Sequence, residues 1–114
     1  MSRIPPPGPE ALRHADYLIA DANVPIDVLS KSASLAVECG CRVLFEPTSV
    51  AKAAAAGRDR SFVSNLTYAF PNADELMAMA DGWTDTEEDV EYARGERDRR
   101  TVRRAAAVLL RRMR

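Results

Sequence analysis

Arg42-Val43-Leu44-Phe45-Glu46-Pro47-Thr48-Ser49 reads as a buried strand and its exit. Three apolar residues in a row are the length of a strand that helices can cover. A carboxylate, a proline and two hydroxyl residues then stop it. Thr48 or Ser49 can cap the next element, an Ala-rich helix over residues 49–56 closed by Gly57. Upstream, Gly40 ends a segment in which Ile26, Leu29, Ala33, Ala36 and Val37 recur at helical spacing. Pro25 suits the first helical position, with Asn23 as a candidate cap. Before that, Tyr17-Leu18-Ile19-Ala20 is a second short apolar run. Downstream, Phe62 to Phe70 holds a third strand centred on Leu66-Thr67-Tyr68-Ala69-Phe70, broken by Pro71. Asn72 opens a helix through Leu76, Met77, Met79 and Ala80. Strand and helix alternate three times, which predicts an α/β fold: a βαβαβα run on a parallel sheet. The strands alternate little between apolar and polar, as expected of a sheet with helices on both faces.

The rest of the chain brackets this core. Residues 1–14 are a Pro-rich lead-in, 15–81 the α/β core, 82–100 a charged insertion and 101–114 an amphipathic helix carrying Val102, Ala106, Leu109 and Met113. With 114 residues there is room for one domain. A net charge of -1 supplies no field to gather nucleic acid or a membrane surface. Arg94 to Arg104 could hold RNA or phosphate, but the acidic run Asp85 to Glu91 just before it favours a self-neutralised surface. Cys39 and Cys41 with the single His14 cannot assemble a zinc set, and two spaced thiols suit a reduced, cytoplasmic setting. No stretch is long and apolar enough to span a membrane.

Ligands of parallel α/β sheets bind beyond the carboxyl ends of the strands. Three polar clusters fall there: Asp21-Ala22-Asn23, Glu46-Pro47-Thr48-Ser49 and Asn72-Ala73-Asp74-Glu75. Asn72 and Glu75 share one side of a first helical turn. They can hold hydrated magnesium beside an anion or close a capping box, the commoner use of this spacing. Glu46 can join a metal's water shell or merely solvate a turn. Lys52 can reach a phosphate or a substrate hydroxyl, or be an exposed helix lysine. Asp21 and Asn23 can bind a polar substrate, with Asn23 equally able to cap a helix. Trp83 reads as packed against the helix before it.

Three strings stand in order: Asp21-Ala22-Asn23-Val24, Phe45-Glu46-Pro47-Thr48-Ser49-Val50-Ala51-Lys52 and Pro71-Asn72-Ala73-Asp74-Glu75-Leu76-Met77-Ala78-Met79-Ala80. Together they resemble the central portion of the pfkB (ribokinase-like) carbohydrate kinases, in a form nearest to the pseudouridine kinase branch. The resemblance implies a three-layer αβα fold, of which this chain is a central fragment. It implies phosphoryl transfer from ATP, with magnesium, to a hydroxyl of a sugar or nucleoside. It places Glu75, Glu46 and Asn72 on the metal side and Asp21, Asn23 and Lys52 on the substrate side.

The family's upstream sugar-binding glycines and lid have no counterpart before Tyr17, and Phe70 stands where many members carry a small hydroxyl residue. No Gly-Ala-Gly-Asp string, the family's general base and anion hole, occurs in this sequence. Positioning and electrostatic stabilisation carry phosphoryl transfer, so the expectation is a partial kinase, inactive alone: the product of a truncated gene, a gene fragment, or one part of a split enzyme that a second chain completes. The alternatives are a non-catalytic module binding nucleotide or a partner, and a small α/β domain unrelated to kinases.

Overall fold

The computed structural model describes residues 8–83 and 99–114. Residues 1–7 of the lead-in and 84–98 of the charged insertion lie outside the described residues. The elements run α1 (Pro9–Arg13), β1 (Tyr17–Asp21), α2 (Ile26–Glu38), β2 (Arg42–Glu46), α3 (Val50–Arg58), α4 (Arg60–Ser64), β3 (Tyr68–Ala69), α5 (Ala73–Ala80), a 3-10 turn (Asp81–Trp83) and α6 (Arg99–Leu110). The three strands form one parallel sheet in the order β1-β2-β3. Asp21 pairs with Glu46 across β1 and β2, and Leu44 with Tyr68 across β2 and β3. The alternation of strand and helix expected from the sequence is therefore the α/β fold found.

Local boundaries differ from the sequence reading where a side chain or a distant contact decides them. Pro25 sits at the N-cap of α2, one residue before the helix, and Asn23 caps nothing. The lead-in ends in α1, with Pro9 at the first turn where its missing N–H is harmless. Leu12 of α1 is buried, and the Cys41 thiol donates to the carbonyls of Leu12 at 3.0 Å and Ala15 at 3.2 Å. The run from Phe62 to Phe70 is divided. Asp59 caps α4 by accepting from the Phe62 N–H at 2.9 Å, so Phe62 and Val63 are helical and buried. The strand is left with Tyr68 and Ala69, flanked by Thr67 N–H to Val43 O at 2.9 Å and Phe70 N–H to Phe45 O at 3.0 Å. Gly57, expected to end the Ala-rich helix, lies inside α3 and is buried.

That burial has a reason. α3 packs along α5, and a Cβ on Gly57 would come within 2.4 Å of the Met79 carbonyl oxygen. Backbone meets backbone there, so only glycine fits. Trp83 closes the same corner: it is buried, its Nε1 donates to the Gly57 carbonyl at 2.8 Å, and the Arg60 guanidinium lies 4.4 Å over its ring. On α6, Thr101, Ala105, Val108 and Leu109 are buried; Val102 and Ala106 of the expected stripe are half-buried.

The sheet has two unlike faces. Ala20, Val43 and Phe45 are buried on one, where Phe62 meets Phe45 edge-on at 4.9 Å between centroids. Side chains alternate across a strand, so Tyr17, Ile19, Leu44, Tyr68 and Phe70 share the other face. There Ile19 is 75% exposed and Phe70 57%. The described residues thus supply a sheet and the helical layer on one side of it.

Candidate functional site

All three polar clusters sit at one edge, because the strands that carry them are adjacent and parallel. Asp21 is the last residue of β1 and Glu46 the last of β2, directly opposite one another. The Ala22 N–H donates to the Glu46 carbonyl at 3.0 Å, which extends the ladder past both carboxylates. Phe70 continues β3 toward Pro71 and Asn72 at the same end.

The first two clusters are tied together by Thr48. Its hydroxyl donates to Asp21 Oδ1 at 3.1 Å, and its N–H to Glu46 Oε1 at 3.3 Å. Thr48 has φ 71°, the only positive φ of a non-glycine residue among those described. A β-branched residue pays steric energy to stand there, of order 1–3 kcal/mol. Two carboxylates hold it in place, and Pro47 behind it is fully buried. Asp21 also accepts from the Asn23 N–H at 2.7 Å. The Lys52 ammonium donates to Asn23 Oδ1. The first turn of α3 is set by Ser49, whose Oγ accepts from the Lys52 N–H at 3.2 Å. Asp21, Asn23 and Lys52, the three substrate-side candidates, are therefore brought together. Beside them, Ala22, Asn23, Ile26, Lys52 and Ala56 line part of a cavity of about 270 Å³.

Asn72 and Glu75 form the capping box that their spacing allows. Asn72 Oδ1 accepts from the Glu75 N–H at 2.8 Å, and Glu75 Oε1 accepts from the Asn72 N–H at 3.0 Å. Glu75 is 7% exposed, unusually buried for a carboxylate whose backbone bond uses one oxygen. Asp21 and Glu46 are exposed. Among the described residues no three His, Cys, Asp or Glu side chains cluster as a direct metal cage. Carboxylate oxygens are hard donors, and one or two of them suit an ion that keeps most of its waters, as magnesium does.

Thr48 is the site residue that the residue order does not reveal. In the sequence it is a hydroxyl in a turn and an alternative helix cap, and nothing signals a left-handed threonine. Trp83 is packed, as its position after a helix suggests, and among the described residues no helix is long and apolar enough to cross a membrane.

The parallel sheet, its helical layer and the shared strand-end edge define a ribokinase-like α/β fragment, and comparisons with known proteins support a relationship to kinases of that kind. A solved carbohydrate kinase from Agrobacterium tumefaciens superposes on 75% of this chain and 26% of its own, with TM-score 0.58 and 27% identity. A pseudouridine kinase of Arabidopsis thaliana is 42% identical over 66 residues, 58% of this chain. No family model matches the chain. The chain spans 17% of the length of the Arabidopsis protein, so both likenesses concern a part of a kinase.

Proposed function

We propose that this chain is a partial carbohydrate or nucleoside kinase of the pfkB type, contributing the strand-end edge at which magnesium–ATP and a pseudouridine-like substrate meet. The observation that carries this reading is the tie through Thr48, which holds Asp21 and Glu46 together at the cost of a left-handed threonine. Strain of that kind clusters at functional sites. Glu46 and Glu75 would share the water shell of magnesium, with Asn72 fixing Glu75 through the capping box. Magnesium would neutralise charge on the phosphates of ATP. Lys52, steered by Asn23, would approach the substrate hydroxyls or a phosphate beside Asp21.

The chain holds no Gly-Ala-Gly-Asp string to supply a general base and anion hole. These 114 residues alone therefore bind without turnover, and the base and anion hole of the cytoplasmic enzyme come from sequence outside them, on this chain or on a second one. Calorimetric titration with magnesium–ATP and a phosphate-transfer assay on pseudouridine test this together. The expected result is weak binding that Glu46→Gln reduces at least several-fold, with no product. Turnover by this chain alone would overturn the inactivity, and absence of binding would overturn the site.

A further inference from the structure

The turn that leads out of β2 is made by a residue ill suited to it. The Ser49 N–H donates back to the Pro47 carbonyl at 2.8 Å, and Thr48 between them has φ 71°. This is a γ-turn of the rare, strained hand. It swings the chain from β2 into α3, whose cap is the next residue, Ser49. Glycine would make the same turn without strain, because it has no Cβ. Asparagine and aspartate also enter that region more readily than a β-branched residue. For turning alone, threonine is the poor choice.

What threonine brings is a hydroxyl on a stiff stem. Branching at Cβ restricts χ1, so the hydroxyl is aimed. It donates to Asp21 Oδ1 at 3.1 Å, while the Thr48 N–H donates to Glu46 Oε1 at 3.3 Å. The same Asp21 Oδ1 accepts from the Asn23 N–H at 2.7 Å, and Asn23 Oδ1 accepts from the Lys52 ammonium. A path of hydrogen bonds thus runs from Glu46 through Thr48, Asp21 and Asn23 to Lys52. It begins on the metal side of the proposed site and ends on the substrate side, and Thr48 is where it crosses between the strand exits. The main-chain bond from the Ala22 N–H to the Glu46 carbonyl also joins those exits, but it touches neither carboxylate. Thr48 grips each carboxylate by one oxygen, which leaves the other oxygen of each for a ligand.

We propose that Thr48 is a positioning residue that couples the two sides of the site, its hydroxyl setting Asp21 and its N–H setting Glu46 as one unit. A ligand that fixes Glu46 orders Asp21 through it, and one that fixes Asp21 orders Glu46, since such coupling is reciprocal. The inference rests on the kinase reading for what the carboxylates bind, and on this geometry for the link between them. A glycine at this position would relieve the turn and cut the link, so stability and coupling should move apart.

Amide NMR of the isotope-labelled full chain, without metal or nucleotide, reads the coupling. Glu46→Ala removes the acceptor of the Thr48 N–H and should shift the amide signal of Asn23, further along the path. In a Thr48→Ser background the hydroxyl remains, and the shift should remain with it. Thr48→Val keeps the bulk and the branching without the hydroxyl, and the shift should be lost. Should that variant fail to fold, Thr48→Gly carries the same comparison. Thermal unfolding supplies the second reading: Thr48→Gly should melt no lower than the wild type, because the strain goes with the side chain. An Asn23 response that persists in Thr48→Val or Thr48→Gly overturns the proposal, since it would travel through the main-chain ladder. So does the lack of any response in the wild type. A Thr48→Gly protein that melts well below the wild type would put the threonine in the service of the fold, and overturns it too. Failure of magnesium–ATP to bind the wild type overturns only the kinase reading and leaves the coupling as measured.

Discussion

Gly57→Ala adds one methyl group at the point where α3 and α5 touch. Elsewhere in a helix that change would favour folding by up to about 1 kcal/mol, through the better helix propensity of alanine. Here the new Cβ would lie 2.4 Å from the Met79 carbonyl oxygen, 2.5 Å from its Cα and 2.8 Å from its carbonyl carbon. None of these is the far end of a flexible side chain, so no rotamer change relieves the clash. The helices must part, and Ala53, Met79 and Ala80, each 0% exposed, lose contact as they do. Overpacking of this kind costs about 1–3 kcal/mol or more, and a backbone-to-backbone clash belongs at the upper end. For a domain of about this size, each kcal/mol moves Tm by roughly 4–8 °C, so a fall of about 10–20 °C is expected. Thermal unfolding followed by circular dichroism measures it. Gly82→Ala is the control, since its Cβ would meet nothing closer than 3.4 Å. A Gly57→Ala protein as stable as the wild type, or more so, would refute the close approach of the two helices.

Other perturbations probe separate parts of the molecule. Trp83→Phe strands the Gly57 carbonyl that Nε1 now satisfies at 2.8 Å, and should cost about 1–3 kcal/mol in chemical unfolding. Asn72→Ala removes the cap of α5 and should cost about 1 kcal/mol by the same measurement. Burial, and then the charges of Cys39 and Asp16, push the Cys41 thiol above its ordinary value of 9.0. The unfolded chain thus gives up this proton first, so stability should fall as pH climbs past 9.0. Cys41→Ala should flatten that slope in urea titrations across alkaline pH. In the native state at neutral pH, iodoacetamide should label half-buried Cys39 well before buried Cys41, as mass spectrometry of digests would show.

The legible parts of this fold were those fixed by short-range chemistry. Tyr17–Asp21 and Arg42–Glu46 were apolar runs with polar exits, and the exits carry the carboxylates that meet at the strand ends. The spacing of Asn72 and Glu75 allows a capping box as the commoner of two uses, and that box is what forms. The parts that were not legible depend on residues far apart in the chain. Phe62 and Val63 look like strand residues, yet the Asp59 cap and the packing of Phe62 on Phe45 make them helical. Gly57 looks like a helix terminator because sequence does not reveal that Met79 lies against it. The apolar residues on both sides of the strands pointed to two covering layers, and the described residues supply one. Asn23 reads equally as a cap or a site residue from sequence; its side chain bonds Lys52 and leaves α2 without a side-chain cap. Thr48 was hidden for a different reason. Left-handed threonine runs against its own propensity, so only the two carboxylates that hold it make it intelligible.

Whether the ends of β2 and β3 face one metal–nucleotide complex can be read from amide NMR of the isotope-labelled chain, titrated with ATP and manganese as a paramagnetic stand-in for magnesium. If they do, the signals of residues 46–48 and 72–75 broaden together, and Glu46→Gln abolishes the effect at both. Broadening at only one of these segments, or confined to the acidic run from Asp85 to Glu91, would contradict a shared metal edge.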